Sequence, residues 1–213
     1  GVANASSACW AGLIVKWLRR GLSLSRSSAH PDFPDLAPKQ LMMVATSSLA
    51  GNLQHPPLPS GYHLRAYRAS DDAGCINLLD SAGFGRWSDE RFHAFMDEPE
   101  RHDGSHVIEC AGSLVAATFA SRFQLDPAIG GVDFVVCLPK HRGHKLGMLT
   151  TVAVLDYLFE RCYKAVVLRT DDHRLPALKI YRDIGFRPLL NRIDMASRWA
   201  DIAVTLDLPH GEH

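Results

Sequence analysis

The chain of 213 residues has no excess of either charge: 23 Lys and Arg balance 23 Asp and Glu. A protein built mainly to grip nucleic acid carries a basic surplus, so that class of partner is set aside. Cysteine is scarce and follows no pairing pattern. Cys9, Cys75, Cys110, Cys137 and Cys162 stand far apart, their number is odd, and there is no C-x-x-C. Free thiols in a reducing compartment are expected, and with them a cytoplasmic location. No apolar run is long enough to span a bilayer. The best candidate, "CWAGLIVKWLRRGL", is short and broken by Lys16. Its charges follow the apolar run instead of preceding it, which does not suit a signal peptide. There is no internal repeat, no Ser/His/Asp arrangement and no Walker loop, which would need G-x-x-x-x-G-K-[ST].

What is present divides the chain in two. Residues 1–59 are rich in Ser, Pro and Ala, and Pro31, Pro34, Pro38, Pro56, Pro57 and Pro59 interrupt regular structure. They also carry Lys16, Arg19, Arg20, Arg26 and Lys39 against only Asp32 and Asp35. A poorly ordered, basic N-terminal extension is expected here, with a short amphipathic helix at "CWAGLIVKWLRRGL" as the other reading. Residues 60–213 read as one domain.

Within that domain, "GYHLRAYR" alternates and predicts a strand. Ser70, followed by Asp71 and Asp72, starts a helix that Gly83 closes. Ser88 caps a second helix, with Trp87 and Phe92 spaced as a hydrophobic staple. "SHVIECAGSLVAATFASRF" reads as two strands around the Ala111–Ser113 turn, and "GVDFVVCL" as a nearly continuous apolar, central strand. Then come a long helix bearing Met148, Val152, Leu155 and Phe159, a strand "KAVVLRT", a helix "LPALKIYRDI" stopped by Gly185, and a strand "FRPLL". The end fits two periods, and a final strand from about Asp201 is preferred. The fold class is α/β: a mixed, mostly antiparallel central sheet of six to seven strands with helices on both faces.

The chemistry sits at "PKHRGHKLG". Pro139 ends the central strand, since it cannot donate to the ladder. Arg142, Gly143 and Gly147 then lead into a helix. Free N–H groups and the dipole at a helix start make an anion site, and glycine lets a phosphate approach the backbone. Lys140, Arg142 and Lys145 add positive charge. The turn comes too late in the chain for a Rossmann fingerprint, so a phosphate-bearing ligand held mid-domain is the best reading. Cys137, His141 and His144 invite a zinc reading, but they lack a matching second pair of ligands, so no metal is expected.

Here the chain resembles the Gcn5-related N-acetyltransferase superfamily. Arg142 through Gly147 look like its R/Q-x-x-G-x-G/A acyl-CoA signature, and "ALKIYRDIGFRP" looks like its A-x-x-x-Y-x-x-x-G-F motif. Two departures stand out. Lys145 replaces the first glycine of G-x-G/A, and Arg174 stands where many members have Asn.

The resemblance covers roughly residues 61–208. It implies acetyl-CoA as the cofactor, used as the acyl donor, with an amine of a small molecule or protein as acceptor. By the same resemblance, the pantetheine arm would run along Val136, Cys137 and Leu138. The phosphates would lie on Arg142, Gly143, His144, Lys145, Leu146, Gly147 and Met148, with Arg174 and Ala177 as further cofactor contacts. Tyr181 would be the acid that protonates the leaving thiolate. The base is open between Asp133, Glu109 and a chain of waters. The acidic, aromatic stretch 86–103 mildly suits a cationic acceptor but reads equally as a solvated helix face. A non-catalytic acyl-CoA sensor would share the cradle. Oligomeric state stays open, with a homodimer among the options.

Overall fold

Residues 40–124, 126–190 and 194–207 are described in the computed structural model. Seven strands are formed: β1 (Leu41–Thr46), β2 (Tyr62–Ala66), β3 (His106–Cys110), β4 (Ser113–Arg122), β5 (Ile129–Cys137), β6 (Ala165–Thr170) and β7 (Arg187–Pro188). They lie in one sheet in the order β2-β3-β4-β5-β6-β1-β7. The helices are α1 (Asp72–Ser81), α2 (Asp89–Met96), α3 (Arg101–Gly104), α4 (Leu146–Glu160), α5 (Leu175–Ile184) and α6 (Met195–Thr205). The chain divides into two compact units. The larger holds 44–168 and 180–186; the smaller holds the described residues of 1–43, 169–179 and 187–213.

In the larger unit, β2 to β5 pair antiparallel and β5 pairs parallel with β6. The β3–β4 hairpin closes through Ala111 and Gly112, both at positive φ (50° and 77°), as a two-residue hairpin turn requires. Strand alternation splits the core across the sheet. Val107 and Ala117 join Cys75, Leu79 and Phe92 under α1 and α2. Their neighbours Ile108 and Ala116 join Leu146 and Leu149 under α4. Ser88 caps α2 by accepting from the Arg91 N–H at 3.2 Å, and Trp87 meets Phe92 edge-on at 6.3 Å, the staple that the spacing predicts.

In the smaller unit, the Leu189 N–H donates to Met42 at 2.9 Å. Arg198 on α6 donates to Asp172 and Asp194.

Two expectations are corrected. Residues 1–59 are not irregular throughout, because Leu41–Thr46 is a strand of the sheet. Leu41, Met43, Val44 and Ala45 are buried, and a run that apolar pays no penalty for central placement. The final segment is helix, not strand. Met195, Trp199 and Ile202 are buried at helical spacing while Val204 is 71% exposed, and an alternating strand would have buried Val204 with Ile202. The segment 9–22, read as a short helix, lies outside the described residues. Among the described residues, no helix is long and apolar enough to cross a membrane.

Candidate active site

The larger unit opens where β5 leaves β6. Their parallel register runs from Ile129 opposite Ala165 to Val132 opposite Leu168 and stops, while β5 continues to Cys137. The stop coincides with an irregularity on the other side of β5. Val136 pairs with Ala117 and Asp133 with Phe119, so β5 carries one more residue than β4 across that gap. Phe134, at φ 46°, absorbs it as a bulge. The bulge re-aims the strand as the ladder to β6 ends, leaving backbone polar groups of Asp133–Cys137 outside that ladder.

After β5 the chain turns sharply. The Leu138 N–H donates to Val115, and its carbonyl accepts from His141. Pro139–His141 make one 3-10 turn, Gly143 sits at φ 85° and Lys145 at φ 58°, and α4 starts at Leu146. The Arg142 N–H is taken by the Pro139 carbonyl. From Gly143 to Met148, the backbone N–H groups find no acceptor among the described residues; the first helical bond is Leu149 to Lys145. Such a row of free donors at the positive end of a 15-residue helix is suited to receive an anion. A Cβ on Gly147 would come within 3.3 Å of Val135 Cγ1, so this glycine lets the helix start lie against β5. Lys140, Arg142, Lys145 and His144 are exposed around the turn. Tyr62 braces it from β2: its hydroxyl lies 3.0 Å from His141 Nδ1.

Burial pushes the Cys137 thiol up, so it is an apolar wall atom and not a thiolate. Tyr181 is buried on α5, its ring edge-on to Phe186 at 6.0 Å. In the smaller unit, Arg174 precedes α5 and pairs with Asp171 at 3.2 Å, and its carbonyl accepts from the Ala177 and Leu178 N–H groups.

The two carboxylates considered as bases occupy different places. Asp133 accepts from Arg101 at 2.8 Å, and Arg101 is 5% exposed, stacks on Phe95 at 3.7 Å and donates to the Phe95 carbonyl. Burial pulls the Arg101 guanidinium down and the Asp133 charge opposes this. Glu109 accepts from Arg65 at 3.2 Å. Glu109 is opposite Leu114 and Asp133 opposite Phe119, on either side of β4. At ~3.3 Å per residue and ~4.8 Å per strand, their backbones are roughly 20 Å apart. One small group cannot touch both. Asp133 stands where β5 and β6 part, and Glu109 stands beside the hairpin turn.

Sequence reading missed Arg101, Tyr62 and Arg65, and with Arg65 the partner of Asp71. Tyr62 and Arg101 act across 79 and 32 residues, and the six-residue Arg65–Asp71 spacing runs past the end of β2, where a strand period no longer applies. Among the described residues, no cluster of three or more His, Cys, Asp or Glu could hold a metal ion.

Comparison with known proteins is specific. A model of the "Acetyltransferase (GNAT) family" matches residues 73–186, more than half of the chain. A mycothiol acetyltransferase of Arthrobacter sp. is 45% identical over 185 residues, covering 78% of this chain and 57% of that protein. One from Salinispora arenicola is 28% identical over 188 residues, covering 76% of this chain and 59% of that protein. The chain therefore spans between half and three-fifths of the length of these curated relatives. Among solved structures, a GCN5-related N-acetyltransferase from Sphaerobacter thermophilus superposes with a TM-score of 0.60 at 17% identity, over 71% of this chain and 49% of that one. A tandem GNAT protein from the clavulanic acid biosynthesis pathway gives a TM-score of 0.53 at 22% identity, over 71% of this chain and 51% of that one. The likeness to these structures speaks for the fold, and the family match, laid over the opened strand and the donor-lined turn, makes this chain a member of the GNAT acetyltransferase family.

Proposed function

We propose that the chain transfers an acetyl group from acetyl-CoA to a primary amine by direct attack. The observation that carries this is the opening between β5 and β6 leading to the unbonded N–H groups of Gly143–Met148. The pantetheine arm would bond to the open edge of β5 near Val136–Leu138, and the pyrophosphate would lie on those N–H groups. The amine nitrogen attacks the thioester carbonyl carbon; the C–N bond forms and the C–S bond breaks. The nitrogen loses a proton to Asp133 or to water, and the thiolate gains one from Tyr181. Asp133 suits the base role better than Glu109 because it stands at the opening, where Arg101 holds its carboxylate in place at 2.8 Å.

The name shared by the relatives above, mycothiol acetyltransferase, makes mycothiol-related amines the first acceptors to assay. The test has two parts. Acetyl-CoA should raise the melting temperature, since a ligand of the native state adds RT ln(1 + [L]/Kd). Gly147→Glu and, separately, the exposed Arg142→Glu should abolish this shift while each variant still melts cooperatively. A retained shift in both sinks the cradle. If acetyl-CoA binds but no amine releases thiol from it, the chain is a sensor of acyl-CoA and not a transferase.

A further inference from the structure

A second cleft lies in the larger unit, on the β2 and β3 side of β4, and reaches β5 only at Leu138, just past its end. It has a volume of about 430 Å³, within the range of small-molecule sites. It forms between α1 and the β3–β4 hairpin, where Gly74 allows α1 to sit close: a Cβ there would be 2.8 Å from Leu114 Cδ1. Its floor is Leu78, Leu114 and Leu138, and its walls include Arg65, Asp71 and Glu109.

The charges of these three residues do not cancel. Arg65 grips Asp71 with both amino groups, at 2.7 and 2.9 Å, and Asp71 also accepts the Arg68 N–H at 2.8 Å. The remaining Arg65 bonds go to the Ala66 carbonyl and to Glu109 Oε2. Asp71 thus neutralises Arg65, and Glu109 is the uncompensated charge. Its Oε1 takes no bond among the described residues, and its side chain is 33% exposed. Around it, the hydroxyls of Ser70, Ser81 and Ser113 and the amide of Asn77 line the same cleft, none of them bonded to another described side chain.

This lining selects a ligand class. An anion finds no available cation, because both terminal amino groups of Arg65 are engaged with carboxylates and the Ala66 carbonyl. A divalent metal would need several free carboxylate oxygens, and the guanidinium stands between the two carboxylates. An ammonium group can pair with Glu109 Oε1 while hydroxyls on the same molecule bond to the serines and Asn77.

We propose that this cleft binds a small hydroxylated ammonium compound on Glu109, whose backbone lies roughly 20 Å from that of Asp133 along the β4 register. The site does not depend on the transferase reading, and its test requires neither acetyl-CoA nor turnover.

The probe pair is Tris, an ammonium carrying three hydroxymethyl groups, and pentaerythritol, its uncharged near-isostere. Each is titrated at pH 7 and constant ionic strength into the full, nitrogen-labelled chain, followed by backbone amide NMR. Tris should produce saturable shifts centred on Gly74, Asn77 and Gly112. Pentaerythritol should bind at least tenfold more weakly. Glu109→Gln, which keeps the shape and removes the charge, should weaken Tris by at least tenfold. Asn77→Leu, at an exposed position, should block the cleft by bulk. Equal binding of the two probes, unchanged Tris binding in Glu109→Gln, shifts centred elsewhere, or no saturable shift with Tris would each overturn the proposal. Should Glu109→Gln fail to fold, the Asn77→Leu titration and the probe comparison decide it alone.

Discussion

Lys145 shows how much one residue can say once its backbone is seen. It stands where the family motif has glycine, and its φ of 58° explains the preference. A left-handed conformation costs a non-glycine residue roughly 1–2 kcal/mol, partly offset because glycine loses about 0.5–1 kcal/mol more entropy on folding. Lys145→Gly should therefore match or exceed the parent in urea unfolding by up to about 1 kcal/mol. Lys145→Val should be clearly less stable, since a β-branched side chain tolerates positive φ worst. Equal stability of all three would show that the turn does not hold that conformation. Tyr181 tests the chemistry. Its ring is packed against Phe186, so Tyr181→Phe keeps the packing and removes only the hydroxyl. As general acid its loss should lower kcat by roughly 10²-fold with little change in acetyl-CoA affinity. Normal turnover would take Tyr181 out of the mechanism. The Tyr181 motif could be read from sequence because it is local to one helix turn and its glycine stop. The Arg101–Asp133 bond could not, because its partners are 32 residues apart.

Elements were legible where punctuation and period agree. Pro139, two glycines and a long apolar helix follow one another, so the turn and α4 could be placed with the chemistry they bear. The bulge in β5 was not legible, because its left-handed residue is Phe134 and not a glycine. The start of α1 was marked by its acidic residues, yet their partner was hidden. Asp71 ties α1 to β2 through Arg65. Burial alone would raise the Asp71 carboxyl; the Arg65 bonds and the Arg68 N–H outweigh it and hold it below the ordinary carboxylate value. A carboxyl depressed in the folded state contributes stability that is full above its unfolded pKa, about 3.9, and is lost as pH falls through the lower folded value. Asp71→Asn should thus be less stable than the parent at pH 7, by roughly 1.5–3 kcal/mol for hydrogen bonds to a charged group. The gap should narrow as pH drops below about 4. A gap that stays constant down to pH 2 would mean that the pair contributes nothing through its charge.

At the scale of the whole molecule, the strand Leu41–Thr46 is the part of the sheet that sequence reading did not see. Prolines cluster at Pro31–Pro38 and again at Pro56–Pro59, and between them "LMMVAT" is too short to show a period. A six-residue apolar run is ambiguous alone, and only a sheet with room for it decides the matter. In the sheet order, β1 stands between β6 and β7, so it is an interior strand. Leu41 and Met43 have no exposed surface, and Ala45 has 1%. The segment after β1 is also anchored: the Ser47 N–H donates to the Lys164 carbonyl at 3.0 Å, and Leu49 lies where a Cβ on Gly185 would meet it at 2.9 Å. A chain beginning at Ser60, which a reading of 1–59 as a dispensable extension would favour, removes all of this. It uncovers ladder edges on both flanking strands and deletes several buried apolar side chains, each contributing about 1.5–3 kcal/mol. That loss is comparable with the whole stability of a typical domain, about 5–15 kcal/mol. The Ser60 chain should aggregate or show no cooperative thermal transition, while the full chain melts cooperatively. A milder probe is Met43→Asp in the full chain, which buries an unpaired charge at the same strand and should be strongly destabilising. If the Ser60 chain melts within a few degrees of the full one, β1 is an accessory strand and the fold is complete without it.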